Sequence, residues 1–333
     1  MFKERTGLVL ALLALPILAS RAAAVEYRTL NFLIDAPSTE VARQIGEAAE
    51  RYRKELARKW LGKEMPTWDK PCPLRVTVNL GTSGGATSFV FENGQVLEPR
   101  MHIEGRLDRL LASVLPHEVT HTVFAFHFRH PVPRWADEGG AVLCEDQRER
   151  GRHEGLIHHL VRDGRMIPLR RLLGLAQYPS DVMALYVEGY SLTHFLVAKR
   201  DRKVFLAFVK EGSEGDWDTA LKTHYGYDKL EDLETAWLTH LRQLERARAD
   251  ARTQHSSRHA RPLLCAVHER PPAPVASPDD PLFRDLVART TFQMIPPRDD
   301  APGHERRTVL IVVYTIVLAA VLIAITMLAR GYF

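Results

Sequence analysis

Two histidines four residues apart, with a glutamate beside the first, constrain this chain more than any other stretch: His117-Glu118-Val119-Thr120-His121. On an α-helix, positions i and i+4 share a face, so both imidazoles can bind one metal ion together. Glu118 sits beside them, able to reach a metal-bound water and act as general base. A metal site built on these residues needs a third ligand from elsewhere in the chain. Five residues alone also arise by chance, so the surrounding sequence decides their meaning.

Next comes Pro133-Arg134-Trp135-Ala136-Asp137-Glu138-Gly139-Gly140-Ala141, which places Glu138 seventeen residues after His121. A second helix beginning here can deliver Glu138 as the third ligand, with Asp137 the competing carboxylate. Two imidazoles and one carboxylate with an open position form the catalytic zinc arrangement; structural zinc sites are closed and usually rich in cysteine. His127, six residues past His121, is a rival ligand. It requires a glycine turn three residues after His121, where this chain has Phe124, and bulky residues resist positive φ. His127 and His130 are therefore read as lying outside the first ring of ligands. A further helix, Tyr186 to Leu196, carries Tyr186 and Tyr190 on one face. A phenol in such a site can donate to an oxyanion; two core tyrosines would look the same.

Around these motifs the chain divides into zones. Residues 1–24 combine Lys3 and Arg5, an apolar run from Gly7 to Ala19 and Ala22-Ala23-Ala24, the pattern of a secretory signal peptide. Residues 25–248 read as the folded domain. Residues 249–307 are polar and proline-rich, a tether. Val309 to Leu328 contains no charge and is long enough for a helix to span a bilayer, so 308–329 is predicted as a transmembrane helix with 330–333 a short tail. Together the two ends predict an exported domain, on the periplasmic or extracellular side, anchored to a membrane.

Within the domain, Val41, Ile45, Ala49, Tyr52, Leu56 and Trp60 predict an amphipathic helix after Ser38. Alternation from Leu74 to Leu80 predicts a half-buried strand, and Ser88–Phe91, Asn93-Gly94 and Gln95–Ile103 a hairpin. From Leu107 to Leu244 the period is helical. A short mixed sheet followed by many helices is the α+β class. Apolar residues at 45% suffice for a core, and a net charge of +4 without a basic arm gives no support to nucleic-acid binding. Cys72, Cys144 and Cys265 have no metal-type spacing; one disulfide or free thiols are both open.

In order and content, His117-Glu118-Val119-Thr120-His121, then Trp135-Ala136-Asp137-Glu138-Gly139, then Tyr186-Val187-Glu188-Gly189, this chain resembles the gluzincin zinc metallopeptidases, most closely their peptidase-MA-like family. The resemblance covers roughly residues 75 to 241, including Leu233-Glu234-Thr235-Ala236-Trp237, similar to that family's last helix. It implies a zincin-like fold, a Zn2+ cofactor held by His117, His121 and Glu138, Glu118 as base, and Tyr186 rather than Tyr190 as the oxyanion donor. It also implies a peptide or protein substrate lying on an exposed edge strand, Gln95–Ile103. Glu188 replaces the lysine of related aminopeptidases, and their exopeptidase segment has no counterpart here. The expected activity is zinc-dependent peptide hydrolysis. The competing expectations are a zinc hydrolase of other substrates and an inactive gluzincin-fold scaffold anchored to the membrane. The sequence carries no sign of oligomeric state.

Overall fold

The computed structural model describes residues 24–259 except 82 and 176, with side chains to residue 251. The signal peptide apart from its last residue, the tether beyond 259, the transmembrane segment and the tail lie outside the described residues. Among those described, no helix is long and apolar enough to cross a membrane.

The described part is mixed α/β: a five-stranded sheet followed by a mostly helical remainder. The strands are β1 (Val25–Arg28), β2 (Phe32–Ala36), β3 (Cys72–Val78), β4 (Gly84–Glu92) and β5 (Gln95–Gly105), in the order β1-β2-β3-β5-β4. β2, β3 and β5 run parallel, while β1 and β4 pair antiparallel at the two edges. The hairpin expected at Asn93-Gly94 is present, and both residues take positive φ, 50° and 69°, as a tight turn between twisted strands requires.

One expectation is corrected here. Gln95–Ile103 was read as the exposed edge, but β5 is internal, pairing Leu74 with Met101 and Val76 with Ile103 on one side and β4 on the other. The edge is β4. Met101 and Ile103 are apolar at inward positions and demand neighbours on both sides, whereas the β4 residues opposite them are Thr87 and Gly85. β3 also ends at Val78, leaving Leu80 exposed beyond it.

α1 (Thr39–Leu61) packs against β1 and β2, buries Ile45, Leu56 and Trp60, and is capped by the Ser38 hydroxyl. The motif helix α3 (Leu115–Phe128) packs beside it and is buried on nearly every side. It follows a short α2 (Leu107–Arg109) and a π-helical turn, Leu110–Val114. Pro116 explains that turn. A proline ring clashes with the preceding turn of an α-helix and offers no N–H. The wide turn makes room, the Leu115 N–H reaches back to the Leu110 carbonyl, and the Leu111 carbonyl accepts from the Tyr52 hydroxyl of α1 at 2.8 Å. Pro116 therefore begins a fresh turn without ending the helical rod.

The remaining helices are α4 (Arg134–Val142), α5 (Gln147–Arg162), α6 (Leu169–Leu173), α7 (Val182–Lys199), α8 (Arg202–Glu214), α9 (Trp217–Tyr225) and α10 (Leu230–His259). α10 carries on eleven residues past 248 (249–259), correcting the start of the tether. No Pro or Gly interrupts it before Pro262, and Arg, Ala and Gln favour helix. α4 and α7 cross at two glycines. A Cβ on Gly139 would lie 2.2 Å from the Gly189 carbonyl oxygen, and one on Gly189 would lie 2.6 Å from that of Trp135. Only glycines permit this approach, and it sets the spacing between the Glu138 and Tyr186 backbones.

Candidate metal centre

The interior of α3 is polar where a helix so deeply buried ought to be apolar. His117, Glu118 and His121 are all 1% exposed or less, as are Asp137 and Glu138 of α4. Charged groups enter such a place only when paired or when they hold a cation. His117, His121 and Glu138 present ligand atoms within 4.8 Å of one another and can hold a metal ion. Nε2 of His117 lies 3.4 Å, and Nε2 of His121 3.8 Å, from the same Glu138 Oε2.

The opposite side of each ring shows which nitrogen is available. His117 Nδ1 is 2.7 Å from Glu145 Oε1, and His121 Nδ1 is 2.8 Å from Asp137 Oδ1. Each carboxylate accepts a hydrogen bond from Nδ1–H, which leaves the Nε2 lone pair facing inward. Glu145 is itself held by the Ser113 hydroxyl at 2.8 Å, from the π-helical turn. His117 Nε2 and Glu138 Oε2 are both buried and neither completes a hydrogen bond. A lone pair facing a carboxylate oxygen at 3.4 Å is repulsive unless a cation, proton or metal, sits with them. Burial alone would push His117 down, but Glu138 and Glu145 outweigh it and lift its pKa to about 10. Burial would raise Glu138, yet the two imidazoles and Tyr178 hold it below its ordinary value. The donor set fits zinc or a similar divalent ion.

Glu118 is placed by the sheet. Rows of inward side chains run Leu74–Met101–Thr87 and Val76–Ile103–Gly85 across β3, β5 and β4. On β4 the apolar rows give way to a hydroxyl and a glycine. The Thr87 hydroxyl donates to Glu118 Oε2, and a Cβ on Gly85 would lie 2.5 Å from Glu118 Oε1. Burial lifts the Glu118 carboxyl to about 8, against the opposing pull of His117 and Thr87.

Glu138 also gathers tyrosines. The Tyr178 hydroxyl donates to Glu138 Oε1 at 2.8 Å. Tyr186, buried on α7, bonds to the same carboxylate; burial and then the Glu138 charge hold its phenol well above its usual range. Tyr190, one turn later, leaves this centre and donates to Glu154 Oε1 at 3.0 Å. Glu188 is buried too, but it accepts the Ile167 N–H at 2.9 Å, away from the ligands.

The sequence-derived residues His117, Glu118, His121, Glu138 and Tyr186 thus converge. His127 is exposed at the end of α3, and His130 faces Glu214 at 3.4 Å, so neither joins them. α3 runs unbroken through the buried Phe124, as that residue predicted. Asp137 is an orienting partner of His121 and not a rival to Glu138. Thr87, Ser113, Glu145 and Tyr178 escaped the sequence reading. The small inward residues Gly85 and Thr87 were a usable signal for the first of them; Tyr178, on the loop between α6 and α7, had none. Cys72 and Cys144 are free thiols; burial pushes Cys72 up to about 12, and Cys144 Sγ accepts from Trp60 Nε1 at 3.2 Å. No family model matches the sequence, and no curated protein matches it either.

Proposed function

We propose that this protein is a zinc-dependent metallopeptidase of the gluzincin kind, acting outside the cytoplasm and tethered to a membrane by residues 308–329. The observation that carries the reading is the dry convergence of His117 Nε2, His121 Nε2 and Glu138 Oε2 next to a buried Glu118. Export and anchoring rest on the sequence of the two ends. Bound at these three residues, zinc supplies Lewis acidity that makes water a nucleophile near neutral pH and polarises a carbonyl.

The chain's own residues account for the rest. Glu118, buried between the two imidazoles' helix and β4, is the group that accepts a proton from water and returns it to a leaving amine. The Thr87 hydroxyl fixes one of its oxygens, so the other serves as the proton-accepting atom. Tyr186 keeps its proton and donates to the oxygen that gains charge during attack. Asp137 and Glu145 hold both imidazoles in the tautomer that ligation needs. β4 is an edge strand beside this centre, where an extended peptide can add to the sheet.

The test is zinc content of the full chain in detergent, beside Glu138→Ala and Glu118→Gln, with cleavage of unfolded casein as the activity. The expected result is about one zinc per chain, lost in Glu138→Ala. Glu118→Gln should keep zinc and lose at least about 100-fold in rate. Zinc without cleavage of any peptide would favour a hydrolase of other substrates, and no zinc at all would favour a scaffold.

A further inference from the structure

We propose that Tyr178 is a positioning residue that makes Glu138 a one-oxygen ligand, leaving a coordination place open for substrate or water. The inference rests on the metal-site reading above and assigns to that site a residue its sequence motifs do not contain.

Tyr178 comes from the loop between α6 and α7, forty residues from Glu138 in sequence, and meets α4 at two points. Its hydroxyl donates to Glu138 Oε1 at 2.8 Å, and the Arg134 guanidinium lies over its ring at 4.8 Å from the centroid. Arg134 and Glu138 are four apart on α4, so one helix face grips both the ring and the hydroxyl. The two carboxylate oxygens of Glu138 are thereby given different work. Oε2 faces the two imidazole nitrogens, and Oε1 is engaged by the phenol. With Oε1 released from Tyr178, the carboxylate can swing to embrace a cation with both oxygens, filling the place a substrate needs. Partners of ligating carboxylates tune metal binding by roughly 10- to 100-fold.

The experiment uses the full chain in detergent with wild type, Tyr178→Phe and Tyr178→Ala. It measures zinc affinity by competition with a chromophoric chelator, the unfolding midpoint of the metal-free chain, and the visible absorption of the cobalt-loaded protein. The expected result is a loss in zinc affinity of about tenfold or more in Tyr178→Phe, with the metal-free midpoint held. The cobalt bands should weaken as Glu138 turns to bind through both oxygens and coordination number rises. Tyr178→Ala should lose little more than Phe. Wild-type affinity in Tyr178→Phe overturns the assignment while leaving the metal site standing. A loss seen only in Tyr178→Ala overturns it as well, since ring packing would then be the cause. A wild-type chain that binds no zinc removes the site and this role with it.

Discussion

α1 and α3 lie side by side, yet they are built on opposite principles. α1 presents an apolar face to the sheet and a charged face to water, where Arg43 pairs with Glu40 at 2.8 Å and Glu47 at 2.9 Å. α3 has no solvent face over most of its length, and its polar residues point inward. On α1 the charges are interchangeable decoration on a helix held by its apolar stripe. On α3 each polar atom requires a named partner from elsewhere, because an unpaired charge in a dry interior costs far more than a broken pair in water. The same residue types therefore carry very different consequences in neighbouring helices.

The hardest way to break the α3 side is to separate α4 from α7. Gly139→Ala should destabilise by about 3 kcal/mol or more, since the added methyl meets a backbone oxygen that cannot move aside. Gly155→Ala on α5 meets nothing within 4 Å and should instead stabilise by about 0.5–1 kcal/mol. Chemical denaturation of the two variants decides between packing and mere helix propensity. Equal effects would remove the glycine crossing as the cause.

Next in size is a buried carboxylate with no counter-ion. Burial raises Glu188 to about 8. Between its ordinary value of 4.5 and about 8, the folded chain keeps a proton that the unfolded chain releases, so its contribution to stability falls as pH rises through that window. Glu188→Gln cannot ionise and still accepts the Ile167 N–H. Its stability advantage over wild type should grow from pH 5 to pH 8.5, to a few kcal/mol. A gap that is flat with pH would mean that Glu188 is ionised in the folded chain.

Smaller still, Glu145→Gln should weaken zinc binding by about 10- to 100-fold while the fold persists, because His117 loses its orienting carboxylate. Isothermal titration of the full chain measures it. Smallest is Arg43→Ala on the solvent face of α1, which should leave the unfolding midpoint within about one degree of wild type. A larger shift there would erase the contrast between the two helices.

How much of this was legible beforehand follows from range. α1, its Ser38 cap, the Asn93-Gly94 turn and the shared face of His117 and His121 all depend on neighbours within a few residues. Glu138 was legible through its motif, while Asp137 stayed a competitor in sequence because ligand and orienting partner are the same chemical group. The edge strand was assigned to β5 for a similar reason: alternation tells which face of a strand is buried but not what lies on either side of it.

By itself the sequence determined a helix with two imidazoles on one face, an amphipathic partner helix, a hairpin and a glycine-flanked glutamate. Those follow from helix and strand periods, which act over a few residues. Only the tertiary structure decided that β4 is the edge, that Thr87 rests on Glu118, that Glu145 and Asp137 divide the two histidines, and that Tyr186 and Tyr178, not Tyr190, meet Glu138. These contacts join residues 16 to 48 positions apart. They exist because a buried polar atom takes whatever partner the packing of sheet, α4 and α7 brings within hydrogen-bond reach.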